Sequence, residues 1–166
     1  MGSDYGLETK RRHDYMKLNF IIDVDGCLTD GTFWYSKEGK VLKRFGPHDS
    51  DGLKLIKDKV NILFISADKR GFEISKKRIE DMGYKIYLIS EEERFETIKI
   101  NFEFSNTIYM GDGIYDAPIL KVCKFGIAPK NARKEAKESA DFITESEGGK
   151  GAVCDACLEI KRRFIS

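Results

Sequence analysis

Short apolar runs alternate with amphipathic stretches along most of the chain. Leu18–Val24, Val60–Ile65, Tyr84–Ile89, Thr107–Met110, Lys124–Ala128 and Asp141–Thr144 have the length and composition of strands buried on both faces. Between them, apolar positions recur at helical spacing over Asp51–Lys59, Gly71–Met82, Glu91–Phe102, Ala117–Val122 and Ala132–Ser139. A last helix is predicted over Ala152–Phe164. Strand and helix alternating in this way predict an α/β fold, a doubly wound, mostly parallel sheet covered on both faces. In such sheets ligands gather beyond the C-terminal strand ends.

One segment breaks the alternation. Gly31–Ser36 and Val41–Phe45 are β-rich and flank Lys37-Glu38-Gly39-Lys40, which reads as a β-hairpin projecting from the C-terminal edge of the sheet. Phe33, Trp34 and Tyr35 cannot all be buried inside a two-stranded ribbon. They pack either on another subunit or on the body of their own chain.

Composition narrows the class. A length of 166 residues fits one domain. Residues 1–16 read as a loose leader, in part a cloning remnant, and 17–166 as the single domain. With 29 Lys plus Arg against 28 Asp plus Glu, the formal charge is +1, which gives no electrostatic reason to expect a nucleic-acid partner. No apolar run approaches the ~20 residues of a membrane span, and Met1–Asp14 is too polar for a secretory signal. A cytoplasmic protein is expected. Of the four cysteines, Cys27, Cys123, Cys154 and Cys157, only the last two form a C-x-x-C, with no histidine near them in sequence. Reduced, buried or half-buried thiols are expected rather than a zinc site, which needs about four ligands.

The chemistry concentrates where strands end. Phe20-Ile21-Ile22-Asp23-Val24-Asp25-Gly26 closes an apolar strand with two carboxylates two residues apart, then a glycine. Acids at a buried strand end are costly unless a cation or a dedicated reaction compensates them. One such carboxylate can attack phosphorus while its neighbour exchanges a proton with the leaving oxygen. Tyr109-Met110-Gly111-Asp112-Gly113-Ile114-Tyr115-Asp116 closes a second strand in the same manner. If the two strands are neighbours, Asp23, Asp25 and Asp112 meet at one edge as an all-oxygen set suited to Mg²⁺. Ser66 ends a third strand with a hydroxyl able to donate to a phosphate oxygen. Arg94 or Lys99, on the helix before the Asp112 strand, could neutralise charge on phosphorus.

Asp23-Val24-Asp25-Gly26-Cys27-Leu28-Thr29-Asp30-Gly31, Ser66, the basic residue on the later helix and Gly111-Asp112-Gly113-Ile114-Tyr115-Asp116 resemble the four motifs of the haloacid dehalogenase superfamily. More narrowly, the chain resembles the small capless phosphatases of 3-deoxy-D-manno-octulosonate 8-phosphate (KDO 8-phosphate) and their relatives acting on nonulosonate 9-phosphates. The hairpin, Phe45-Gly46-Pro47-His48-Asp49-Ser50-Asp51-Gly52, the Arg78 helix, Asn131-Ala132 and Gly148-Gly149-Lys150-Gly151-Ala152-Val153 all look like that subfamily, and the likeness covers about residues 17–163.

The resemblance implies a Rossmann-like fold without a cap domain, and a Mg²⁺-dependent phosphatase. It implies Asp23 as the nucleophile that becomes an aspartyl phosphate and Asp25 as general acid, then base. Asp23, the Asp25 carbonyl and Asp112 would hold the metal, with Asp116 in support. Ser66 would fill the hydroxyl slot and Arg94 the cation slot, Lys99 being the alternative. Gly46, Pro47, His48, Asp49, Ser50, Lys54 and Arg78 would face a phosphorylated sugar acid. A homotetramer is implied, in which a neighbour's hairpin and C-terminal tail cover each site.

The chain also departs from the subfamily's pattern. Ser66-Ala67-Asp68 stands where the KDO branch often has Thr-Gly-Arg, with Lys69 and Arg70 displaced. Asp49-Ser50-Asp51-Gly52 is more like the nonulosonate branch, and Cys154-Asp155 replaces a common Arg-Glu pair. All of these bear on the sugar rather than on phosphoryl transfer. KDO 8-phosphate leads as expected substrate, a nonulosonate 9-phosphate is the rival, and a non-catalytic oligomerisation module, as in related domains of sugar-nucleotide synthetases, is the alternative from another class.

Overall fold

The computed structural model describes residues 17–166, and the expected leader lies outside the described residues. Six strands form one parallel sheet: β1 (Leu18–Asp23), β4 (Val60–Ser66), β5 (Ile86–Leu88), β6 (Thr107–Met110), β7 (Phe125–Ala128) and β8 (Phe142–Ile143). Their order is β5-β4-β1-β6-β7-β8. The chain winds outward from β1 on one side, then returns across the sheet to wind outward on the other. The order therefore reverses at β1 and β6, where such sheets leave a crevice at the C-terminal strand ends.

Alternation along the central strands builds two cores. Phe20, Ile22, Phe64, Ile108 and Met110 face one side. There they meet α1 (His48–Ile56), Ile79 of α2 (Phe72–Asp81) and α6 (Ala152–Phe164). Ile21, Leu63, Ile65 and Tyr109 face the other side, covered by α3 (Glu91–Phe102), α4 (Ala117–Val122) and α5 (Lys134–Ser139). The doubly wound architecture read from the strand pattern is the one found.

Element ends differ where tertiary contacts override local pattern. Helix α1 begins at His48 rather than Asp51, directly after Pro47, and places Asp49 and Asp51 in its first turn where the helix dipole favours acids. It ends at Ile56 rather than Lys59. The edge strands β5 and β8 are shorter than their apolar runs because each has a neighbour on one side only. The hairpin is longer than expected, β2 spanning Thr29–Ser36 and β3 Gly39–Phe45, with a tight turn at Lys37-Glu38. Its aromatic residues do not pack on the body of their own chain: Phe33, Trp34 and Tyr35 are 50%, 68% and 60% exposed. Cys157 is buried and Cys154 half-buried, both free. No helix among the described residues is long and apolar enough to cross a membrane.

The glycine-rich tail motif folds back onto its own chain. Gly148 N–H donates to Asn131 Oδ1 at 2.7 Å, and Asn131 Nδ2 donates to the Gly26 carbonyl at 3.1 Å. Gly149 N–H donates to the Cys27 carbonyl. A Cβ at Gly148 would collide with the Gly26 and Thr29 carbonyls, so only glycine allows this close approach. From Gly148 onward the chain therefore braces its own Asp25–Thr29 loop and supplies the buried face of α6.

Candidate active site

Asp23 is the last residue of β1, and Asp112 follows β6, its immediate neighbour in the sheet. The parallel register therefore delivers both carboxylates to the same edge. Between them the chain turns sharply through Val24–Leu28. Gly26 takes φ +93°, and a Cβ there would fall on the Asp112 carboxylate. Thr29 Oγ1 closes this loop by accepting the Gly26 and Gly31 amides, each at 3.1 Å.

Oxygens of Asp23, Asp112 and Asp116 lie within 4.8 Å of one another. Asp116 is the most committed of the three. Its Oδ1 accepts from Arg94 Nη1 at 2.7 Å and from the Tyr109 hydroxyl, and its Oδ2 accepts the Asp112 and Gly113 amides at 2.9 Å. It acts as an anchor that shapes the loop. Arg94 Nη1 also reaches Asp23 Oδ2 at 3.0 Å, and the Arg94 side chain is 4% exposed. The structure thus brings Arg94, not Lys99, to Asp23; Lys99 lies exposed on α3.

Three acids face one arginine, and their proton affinities register the imbalance. Burial raises the Asp23 carboxyl well above the usual range; Arg94 opposes this, while Asp116 and Asp112 add to it. Burial, then the Asp116 charge, push Asp112 up to about 7. Burial works against the Arg94 charge, but Asp23, Tyr109 and Asp116 hold it firmly protonated. An all-oxygen set with surplus negative charge is what a hard divalent cation would satisfy. Asp23 and Asp112 have oxygens to offer it.

Asp25 points elsewhere. Lys43 Nζ lies 2.8 Å from its Oδ1, and the Ser66 hydroxyl donates to its Oδ2 at 2.9 Å. Its carboxylate is not part of the acidic cluster, which leaves its carbonyl as the group expected to serve a metal. Ser66 also accepts the Asp68 amide at 3.1 Å. All these acids, with Arg94, line or adjoin a cavity of about 670 Å³, which Phe33, Lys40, Asp68, Glu91, Tyr115 and Arg133 also line.

The sugar-facing residues expected from the resemblance do not line this cavity. Asp49 is fully buried and accepts the Cys154 amide at 3.1 Å. Arg78 donates to the Gly46 carbonyl at 3.4 Å, and Pro47, His48 and Lys54 are exposed, with Ser50 half-buried. Sequence reasoning gave no role in the site to Lys40, Lys43 or Arg133, and met Asp68 and Thr29 only as parts of longer stretches. The one available signal was two lysines on a ribbon otherwise rich in exposed apolar residues.

A family profile for haloacid dehalogenase-like hydrolases matches residues 94–156. The chain is 32% identical over 141 residues to the 3-deoxy-D-manno-octulosonate 8-phosphate phosphatase of Haemophilus influenzae, covering 81% of this chain and 78% of that protein. The solved cobalt-bound form of the Haemophilus influenzae phosphatase superposes with a TM-score of 0.75 at 29% identity, covering 90% of each chain. The Moraxella catarrhalis phosphatase, solved with a magnesium ion, a phosphate ion and KDO, gives 0.78 at 26% identity over 92% of each. With the sheet order, the paired acidic strand ends and these likenesses in agreement, the chain belongs to the haloacid dehalogenase superfamily, in its family of 3-deoxy-D-manno-octulosonate 8-phosphate phosphatase-like enzymes, and is a phosphoric monoester hydrolase.

Proposed function

We propose that the protein hydrolyses the phosphate ester of a 3-deoxy-2-ulosonic acid, KDO 8-phosphate first, in a Mg²⁺-dependent reaction through an aspartyl phosphate on Asp23. The observation that carries this reading is the meeting of Asp23, Arg94, Asp112 and Asp116 in one cavity with the Asp25–Ser66 pair alongside. The relatives named above support the substrate class.

Asp23 is the nucleophile, oriented by Arg94. Asp23, the Asp25 carbonyl and Asp112 would hold Mg²⁺, which supplies charge neutralisation to the nucleophile and the phosphoryl oxygens. Asp116 keeps the Asp112 loop and Arg94 in place. Asp25 gives a proton to the leaving alkoxide and later takes one from the attacking water. Ser66 turns its hydroxyl to a phosphate oxygen when substrate draws it from Asp25. Gly46, Pro47, His48, Asp49, Ser50, Lys54 and Arg78 belong to the sugar-acid side of the reading. Because they lie off this chain's own cavity, they serve best from a neighbouring copy, and Asp49 only by shaping the loop. The same reading makes the protein a cytoplasmic homotetramer.

Released phosphate measured with KDO 8-phosphate and with a nonulosonate 9-phosphate tests the substrate. A higher kcat/KM for the former is expected; a preference for the latter moves the assignment to the rival sugar. Asp23→Asn is expected to lower kcat by at least about 10⁴-fold with the circular dichroism spectrum unchanged. Retained turnover would remove the covalent route, and a wild-type protein inactive on every ester with Mg²⁺ present would leave only the oligomerisation module.

A further inference from the structure

The hairpin reaches into the site through one lysine. Lys43 Nζ on β3 lies 2.8 Å from Asp25 Oδ1, 2.9 Å from Asp68 Oδ2 and 2.8 Å from Ser75 Oγ, and its side chain is 1% exposed. An ammonium has three hydrogens to donate, and here each has a partner. Two of the three partners are carboxylates, which offset the cost of burying the charge. Asp68 is itself fixed from behind: its Oδ2 pairs with Lys40 at 2.6 Å and its Oδ1 accepts the Gly71 amide at 3.1 Å. Ser75 is fully buried on α2. The ammonium is therefore tied to α2 on one side and to Asp25 on the other, leaving it little freedom to move.

The two oxygens of Asp25 thus have different neighbours. Oδ1 meets a charged donor with no slack, whereas Oδ2 meets the neutral Ser66 hydroxyl and keeps a second lone pair for a proton. We propose that Lys43 is a positioning residue for Asp25, gripping Oδ1 so that Oδ2 is the oxygen that carries the proton. This rests on the reading of Asp25 as general acid and base. In the first step an Asp23 oxygen forms a bond to phosphorus. The bond from phosphorus to the leaving oxygen breaks, its electron pair stays on that oxygen, and the proton on Asp25 Oδ2 moves there. In the second step Oδ2 removes a proton from water as the water oxygen bonds to phosphorus, and the Asp23–phosphorus bond breaks with its pair returning to Asp23. Lys43 touches no reacting atom in either step.

Phenyl phosphate and 4-nitrophenyl phosphate have similar shapes, lack the sugar's carboxylate and differ in how much their leaving oxygen needs a proton. With Mg²⁺ present, kcat/KM for Lys43→Met is expected to fall about 100-fold on phenyl phosphate and about tenfold or less on the nitro ester. Lys43→Arg, which restores a cation, should recover at least about tenfold of the phenyl phosphate loss. Placed on Asp25→Asn, the Lys43→Met change should alter phenyl phosphate turnover by less than about threefold, since the residue it positions is already disabled. Equal losses on both esters, with Asp25→Asn still selective for the nitro ester, would overturn the assignment and make Lys43 a structural tie of the hairpin. An Asp25→Asn variant without that selectivity would overturn the general-acid reading and the assignment together. If Lys43→Met fails to fold, Asp68→Asn frees the same ammonium from behind, and the same selective loss is expected; equal losses there also overturn the proposal.

Discussion

Asp49 was expected to face a sugar, and its surroundings give it another task. The carboxylate is fully buried at the start of α1, and Oδ1 accepts the Cys154 amide in the first turn of α6, where the helix leaves its amides without partners. Its Oδ2 has no hydrogen-bond partner among the described residues. Burial raises its proton affinity, the amides of Cys154 and Val153 oppose the rise, Asp155 adds to it and Arg78 opposes it, leaving the pKa at about 6 against an ordinary 3.8. Because the folded value is the higher one, the native state holds more protons than the unfolded chain between these limits. The contribution is fully present below about pH 3.8 and is lost as pH rises through about 6. At about 1.4 kcal/mol per pH unit, up to about 3 kcal/mol is at stake. Urea unfolding at pH 4.5 and 7.5 should show a drop in the wild type that is smaller in Asp49→Asn by up to about 2 kcal/mol, the share of that contribution lost between these two pH values. An identical drop in both proteins would mean that Asp49 titrates as it does in water.

At the scale of elements, the strands that hold the chemistry were legible and the supports were not. β1, β4 and β6 are buried on both faces, so their sequences are nearly continuous apolar runs that end in Asp23, Ser66 and the Asp112 loop. Their adjacency follows from the winding rule. The Lys43 network could not be read, because its three partners lie 18 to 32 residues away and meet it only through the path of the hairpin. The start of α1 was missed for a related reason: Asp49 serves a helix 105 residues further along. Gly52 lies within α1, where an isolated glycine weakens a helix, yet a Cβ there would come 2.7 Å from the Cys154 Cα. The glycine sets how closely α1 and α6 cross. Gly52→Ala should therefore destabilise by about 1–3 kcal/mol through overpacking, despite alanine's better helix propensity. A more stable variant in urea unfolding would show that the two helices have slack.

For the whole molecule, the two faces of the hairpin are unlike. Lys40 and Lys43 pin the face they share with Phe33 and Tyr35 to Asp68 and Asp25, while the Trp34–Leu42 pair occupies the opposite face, and Phe33, Trp34, Tyr35, Val41 and Leu42 stay 45–68% exposed. Large apolar side chains left exposed on both faces of one ribbon mark an association surface. The sugar-side residues Gly46, Pro47, His48 and Lys54 follow directly in sequence yet lie off their own cavity. Association through the ribbon would be the means of carrying them toward another copy's cavity. Trp34→Glu with Leu42→Lys places opposite charges on a cross-strand pair of exposed side chains and should cost the isolated chain little, within about 0.5 kcal/mol for each. In sedimentation the wild type should run as a tetramer and the double variant as a smaller species. Its KM for the sugar-acid phosphate should rise by about tenfold or more, while kcat/KM for 4-nitrophenyl phosphate stays within about threefold, because under the proposed function phosphoryl transfer uses groups of one chain and sugar recognition draws on two. Should the double variant keep the wild-type sedimentation, the ribbon is not the interface. Should it dissociate with both substrates unaffected, the loop after the ribbon has no part in holding the sugar, and the cavity's own Lys40, Asp68 and Arg133 would have to do so alone.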